Sequence, residues 1–335
     1  MVATASEPTS ASRLERAQAT IDRTVARLAL AWPLLRRAWM AAIGPPSPRT
    51  TPIPGWRFAQ EFTHQRRRDA RRRWAIWALA RDRKLKIEFA TKWLGQTEIL
   101  TSLGDDQSLC LWVCGSFEPN EFAFLDRVLE PNMIVVDAGA NQGLYSVFAG
   151  KRVGSGGRVI AFEPSRRDCE MLRSNVAHNS LGNVEVIPTA LGDTMGNGIL
   201  HIADGEHAGQ NTFGVFAWEG TQERSVENVP VTTLDSEVER LDLRRLDFLK
   251  IDVEGAEVAL LRGARRSLER FKPTILVEVN PRTLSGMGES VQTLVEALVQ
   301  LGYTLERFSL VTGLPEPWRA GQPAPDTLIA RAARK

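Results

Sequence analysis

From about residue 107 the sequence alternates short apolar, β-branched runs with segments of helical periodicity, and no other feature limits the possible folds as strongly. The runs are MIVVDAG, GRVIAFEP, VEVIPTALG, DFLKIDVEG and TILVEVN; SRRDCEMLRSNVAHNS and AEVALLRGARRSLERF are two of the helical segments between them. Such alternation predicts an α/β fold built on a doubly wound, mostly parallel sheet. The near-continuous apolar character of MIVV, VIAF and ILVEV fits strands buried on both faces. Upstream, LCLWVCG reads as a further strand. PNEFAFLDRVL reads as an amphipathic helix with Phe122, Leu125 and Leu129 on one side.

The first ninety residues have a different character. Residues 1–90 hold 18 Lys/Arg against 7 Asp/Glu, and residues 91–335 hold 24 against 33, so a segment of +11 precedes a body of −9. The expected organisation is therefore a helical, basic N-terminal extension over 1–90 and a globular domain over 91–335. Within the extension, residues 12–43 carry a 3.5-residue apolar seam through Leu14, Ile21, Leu28 and Leu35, suited to docking on the body or on another copy. GPPSPRTTPIPG, residues 44–55, has five prolines and two glycines and reads as a linker. RRRDARRRWAIWALARDRKLK then sets eight arginines and two lysines beside two tryptophans, which suits either a solvated helix face or peripheral contact with an anionic membrane. RLALAWPLLRRAWMAAIG is broken by Pro33 and by Arg36-Arg37, so no transmembrane span is expected. Cys110, Cys114 and Cys169 form neither a disulfide framework nor a zinc pattern, and they fit a reducing cytoplasmic compartment.

In a doubly wound sheet, ligands bind beyond the carboxyl ends of the strands near the reversal in strand order. Those ends hold Asp137 with Gly139, Glu163, Ala190-Leu191, Asp252 and Glu278. The loop Asp137-Ala-Gly-Ala-Asn-Gln-Gly143 resembles a dinucleotide loop, but Asn141 stands where a glycine would admit a pyrophosphate. That substitution fits a ligand without a pyrophosphate, such as S-adenosylmethionine. Glu163, about two dozen residues beyond Gly139, is spaced to accept hydrogen bonds from a ribose diol.

VVDAGANQGLYS, VIAFEPS, NVEVIPTALGD, LKIDVEGAEVALLRGA and ILVEVN together resemble the FkbM-type methyltransferases, and GSFEPNEFAFL is similar to that family's lead-in. The resemblance spans residues 107 to about 330. It implies a Rossmann-like sheet of the class I methyltransferase type and S-adenosylmethionine as cofactor. It also implies O-methylation of a sugar, glycan, glycolipid or natural-product hydroxyl. On this resemblance Asp137, Gly139, Asn141 and Gly143 line the methionyl part of the cofactor and Glu163 its ribose, with Ala190, Leu191 or Asn183 on the adenine side. Asp252 and Glu254 face the reaction centre.

Methyl transfer from a sulfonium is an in-line displacement that depends on alignment, and a hydroxyl acceptor must also lose a proton. Asp252 is the first candidate for the general base or for an acid that orients the acceptor. Glu278 is an accessory acid or the partner of Lys250. Glu257 is expected in the first turn of a helix, where the dipole favours its charge by about 0.3–1 kcal/mol. His201 and His207 lie in HIADGEHAGQNTFG, an insertion placed to cover the site. No Asp…Asp-Asn set for magnesium is present, so no metal is expected, and the missing Asn/Asp-Pro-Pro-Tyr motif disfavours nucleic acid as substrate. Two other readings remain open on sequence alone: an NAD-dependent oxidoreductase, and a catalytically silent scaffold at a membrane or complex.

Overall fold

The computed structural model describes residues 67–332, except 86, 95–96, 116, 205–208 and 218–220. The apolar seam of residues 12–43 and the linker of 44–55 lie outside the described residues. The chain divides into two compact units, Met1–Pro52 and Ile53–Lys335, and the described residues all belong to the second.

Helix α1 (Arg67–Asp82) is part of this second unit, because Trp77 and Ala80 are buried against Leu103 and Val113. The Trp77 indole also donates a hydrogen bond to the Asp105 carbonyl at 2.8 Å. A hairpin of β1 (Glu88–Lys92) and β2 (Glu98–Ser102) follows. The segment expected to be a strand, Leu109–Cys114, is instead a π-helical turn. It continues a single helical turn, Asp106–Ser108, that Asp105 caps by accepting a hydrogen bond from the Ser108 N–H at 2.7 Å, and left-handed Gly115 ends it. An apolar run this short does not distinguish strand from helix, and the capping aspartate decides. Helix α2 (Pro119–Val128) forms where expected and buries Phe122 and Leu125.

The body is an eight-stranded sheet. Its parallel part comprises β3 (Ile134–Ala138), β4 (Arg158–Phe162), β5 (Val184–Ile187), β9 (Phe248–Ile251) and β10 (Thr274–Glu278). The strands lie in the order β12-β11-β13-β10-β9-β3-β4-β5, with β11 (Tyr303–Phe308), β12 (Pro315–Pro317) and β13 (Thr327–Ala332) completing an antiparallel edge. Helix α3 (Leu144–Val153) joins β3 to β4 and α4 (Arg166–His178) joins β4 to β5. After β5 the chain returns to pair β9 with the other side of β3, so the strand order reverses at β3.

The continuous apolar runs have a direct explanation in the register. Val135, Val159, Phe248 and Leu276 pack in one core with Phe122 and Phe148. Their chain neighbours Val136, Ile160, Leu249 and Val277 pack in the core on the other face. Alternate side chains point to opposite faces, and both faces are covered, so both must be apolar. A separate three-stranded sheet is made of β6 (Ala190–Leu191), β7 (Gly196–Ala203) and β8 (Glu223–Thr232).

Candidate active site

The carboxyl ends of β3, β4, β9 and β10 bring most of the expected residues together. Gly139 begins the loop after β3 with φ of 77°, and a Cβ there would lie 1.7 Å from the Asp252 carbonyl oxygen. Only glycine permits that approach of the two loops. The N–H groups of Gly139 and Ala140 both reach the Phe162 carbonyl, at 3.0 and 2.9 Å, which ties the loop to the end of β4. Asn141 is left-handed, with φ of 48°, and its N–H donates to Glu163 Oε2 at 2.8 Å. The Ser165 N–H donates to Glu163 Oε1, also at 2.8 Å. Each Glu163 oxygen is thereby fixed and keeps lone-pair capacity for a further donor. Burial, and then the charge of Asp168, push the Glu163 carboxyl up to about 8.

Next to this loop lies a group of acids around one lysine. Lys250 Nζ donates to Asp252 Oδ2 at 2.7 Å and sits 4.5 Å from the centre of the Tyr145 ring. Burial disfavours the ammonium, but the carboxylates of Asp252, Asp137 and Glu118 outweigh it and hold Lys250 charged, above the usual lysine range. Burial likewise opposes ionisation of Asp252, yet the Lys250 ammonium and a hydrogen bond from Glu278 lower its pKa below the ordinary value. The other acids go the opposite way. Burial, Asp252 and Glu257 raise Glu254 to about 9, and the charge of Asp252, followed by burial, holds Glu278 well above its ordinary value. Asp137 is 1% exposed; its Oδ2 accepts from Ser146 Oγ at 2.6 Å while Oδ1 has no partner.

Two cavities meet at Gly139, Asn141, Gly209 and Asp252, which line both. The first continues past Glu163 between Phe162, Leu191 and Phe213. The second continues past Tyr145 and Lys250 toward Asp105 and Cys110.

A family model described as "Methyltransferase FkbM domain" matches residues 137–305, half of the chain. The chain belongs to the FkbM methyltransferase family. It is 28% identical over 195 residues to methyltransferase sdnD of Sordaria araneosa, covering 50% of this chain and 73% of that protein. It is 30% identical over 146 residues to methyltransferase 1 of Beauveria bassiana, covering 38% and 57%. A crystal structure of methyltransferase FkbM from Methylobacillus flagellatus KT aligns with a TM-score of 0.37 and 19% identity, covering 63% of this chain. The chain spans half the length of that protein.

The FkbM family's methyl donor, S-adenosylmethionine, carries a sulfonium and an ammonium, and the residues present fit both. Asp137 offers an unpartnered buried oxygen, and Glu254, whose Oε2 is also unpartnered, lines the first cavity beside Asp252. The fixed Glu163 oxygens suit a ribose diol, and the apolar slot at Phe162, Leu191 and Phe213 suits an adenine.

Among the expected FkbM site residues, Asp137, Gly139, Asn141, Gly143, Glu163, Ala190, Leu191, Asp252, Glu254 and Glu278 lie at this end of the sheet. Asn183 does not. It precedes β5, at the amino end of the strands, and its Nδ2 donates to the carbonyls of Gly150 and Gly154 at 2.9 and 2.8 Å. It joins the end of α3 to β5 and is removed from the adenine side. Lys250 pairs with Asp252 and not with Glu278. His201 pairs with Glu223 at 2.6 Å, and His207 lies outside the described residues. The insertion does reach the site, through Gly209, Asn211 and Phe213. One oxygen from each of Asp252, Glu254 and Glu278 lies within 4.8 Å of the others, a spacing that suits a shared cation although the sequence has no Asp…Asp-Asn pattern.

Sequence reasoning gave no site role to Lys250, Tyr145 or Glu118. The Tyr145 hydroxyl donates to Glu118 Oε2, and burial, then the Glu121 charge, push Glu118 up to about 8. Lys250 left a signal, because a charge inside the buried run FLKI requires a buried counter-charge. Glu118 left a weaker one in the lead-in Phe-Glu-Pro, where it takes up a left-handed φ of 41° before Pro119.

Proposed function

We propose that this protein transfers the methyl group of S-adenosylmethionine to a hydroxyl of a sugar, glycan, glycolipid or polyhydroxylated natural product. The cluster of Asp252, which lines both cavities, Glu254, which lines the first, and the adjoining Glu278 carries this reading. Several carboxyl groups side by side can accept hydrogen bonds from neighbouring hydroxyls, which suits a polyol better than an isolated amine or an aromatic base. The bound cofactor supplies an electrophilic methyl group on a positively charged sulfur. Gly139, Asn141 and Glu163 would hold it along the first cavity, and the unpartnered Asp137 oxygen behind the loop would offset its ammonium.

Asp252 is a weak base, because Lys250 stabilises its anion. Its part is to orient the acceptor hydroxyl. Glu254 lines the first cavity beside it and has an unpartnered oxygen. A positive charge bound beside it would favour release of the Glu254 proton to solvent, and the resulting carboxylate would then take the proton of the acceptor. No covalent intermediate with the protein is involved.

The test uses S-adenosylmethionine labelled in the methyl group, offered with nucleotide sugars, glycolipids and polysaccharide. The expected product carries the label as an alkali-stable methyl ether. Cofactor binding by calorimetry with no label in any acceptor fraction would favour the scaffold reading, and binding of NAD in place of S-adenosylmethionine would overturn the proposal.

A further inference from the structure

We infer that helix α1 is a docking surface for an anionic membrane. One face of α1 is committed to the fold through Trp77 and Ala80. Two side-chain contacts clamp it there: the Trp77 bond to Asp105, and a bond from Arg73 Nη1 to the Trp112 carbonyl at 2.8 Å. On the opposite face Arg72, Ile76 and Arg83 follow one another at four- and seven-residue spacing and are all exposed. Arg83 keeps the helical register, since its N–H still bonds the Leu79 carbonyl at 3.0 Å.

Charge and exposure on this face point to the same partner. Residues 67–84 contain eight Arg/Lys and two Asp/Glu, a net +6 on a protein whose domain is otherwise acidic. Ile76 is 51% exposed, and Leu85 and Ile87, just after the helix, are 43% and 37% exposed. Cations interleaved with exposed aliphatic side chains match the boundary between anionic headgroups and acyl chains. A phosphate backbone would engage the cations and leave the aliphatic groups in water. The inference rests on this face alone and is independent of the methyl-transfer reading.

The experiment is co-sedimentation of the full chain with vesicles of phosphatidylcholine, with and without phosphatidylglycerol. Binding is expected only to the anionic vesicles and should fall as salt is raised. The double variant Arg72→Glu/Arg83→Glu should lower the partition coefficient by at least about tenfold, and Ile76→Asp should lower it as well, with thermal melting unchanged in both. Three outcomes would overturn the inference: no binding of the full chain to anionic vesicles, undiminished binding by the Arg72→Glu/Arg83→Glu variant, or binding to an RNA duplex without binding to vesicles.

Discussion

Lys250 stands in β9 between Leu249 and Ile251, both fully buried, and the acids around it depend on its charge for their different protonation states. Replacing it by Met leaves Asp252 and Asp137 without their cation. Lys250→Met is expected to destabilise the protein by about 3–5 kcal/mol in urea denaturation, and by clearly less in an Asp252→Asn background, where the stranded charge is gone. Glu163→Ala should weaken S-adenosylmethionine binding by more than about tenfold in calorimetry, since it removes both ribose acceptors; an unchanged affinity would remove that assignment. Glu254→Gln should lower kcat far more than cofactor affinity, and Asp252→Asn should raise the KM for the acceptor. The acids at the strand ends were legible as residues because strand order localises ligands. Their roles were not, because a carboxyl's pKa depends on neighbours that arrive from other strands.

At the scale of elements, the junction between the β3 loop and the β9 loop is the tightest point of the site. Gly139→Ala would force its Cβ onto the Asp252 carbonyl, which is backbone and cannot move aside alone. Loss of cofactor binding is expected with the far-ultraviolet circular dichroism retained. Gly255 plays a related part after β9, with φ of 106° and the Thr283 carbonyl 2.6 Å from where a Cβ would stand. The turn places Glu257 at the start of helix α5 (Glu257–Gly263), where its Oε1 accepts the Gly255 N–H at 3.0 Å. Here the sequence was readable, since strand, glycine turn and first-turn acid follow one another locally. Leu109–Cys114 was not, because its alternative as a strand was excluded only by the Asp105 cap and by Trp77 packing from α1.

For the molecule as a whole, the buried acids make stability depend on pH. Burial is the leading cause that raises Glu118 and Glu163 to about 8, Glu254 to about 9 and Glu257 to about 7, all from an ordinary value of 4.5. The folded state therefore holds protons that the unfolded chain has already released. Stability from these groups is complete below about 4.5 and is lost as the pH rises through their folded values. The melting temperature should fall between about 4.5 and about 9, and saturating S-adenosylmethionine should flatten the fall by supplying positive charge. By the same linkage, cofactor binding should release protons at neutral pH, read as a dependence of the calorimetric enthalpy on buffer ionisation.

The sequence by itself determined the doubly wound sheet, the cofactor loop and the strand-end acids, because apolar periodicity, glycine spacing and strand termini are local properties. Among the described residues, no helix is long and apolar enough to cross a membrane; RLALAWPLLRRAWMAAIG lies outside them. Only the tertiary structure decided that Asn183 belongs to the far end of the sheet, that Lys250 serves Asp252, and that α1 is part of the compact unit. Each of these depends on which strand lies beside which, and register between distant segments is set by packing of the whole core.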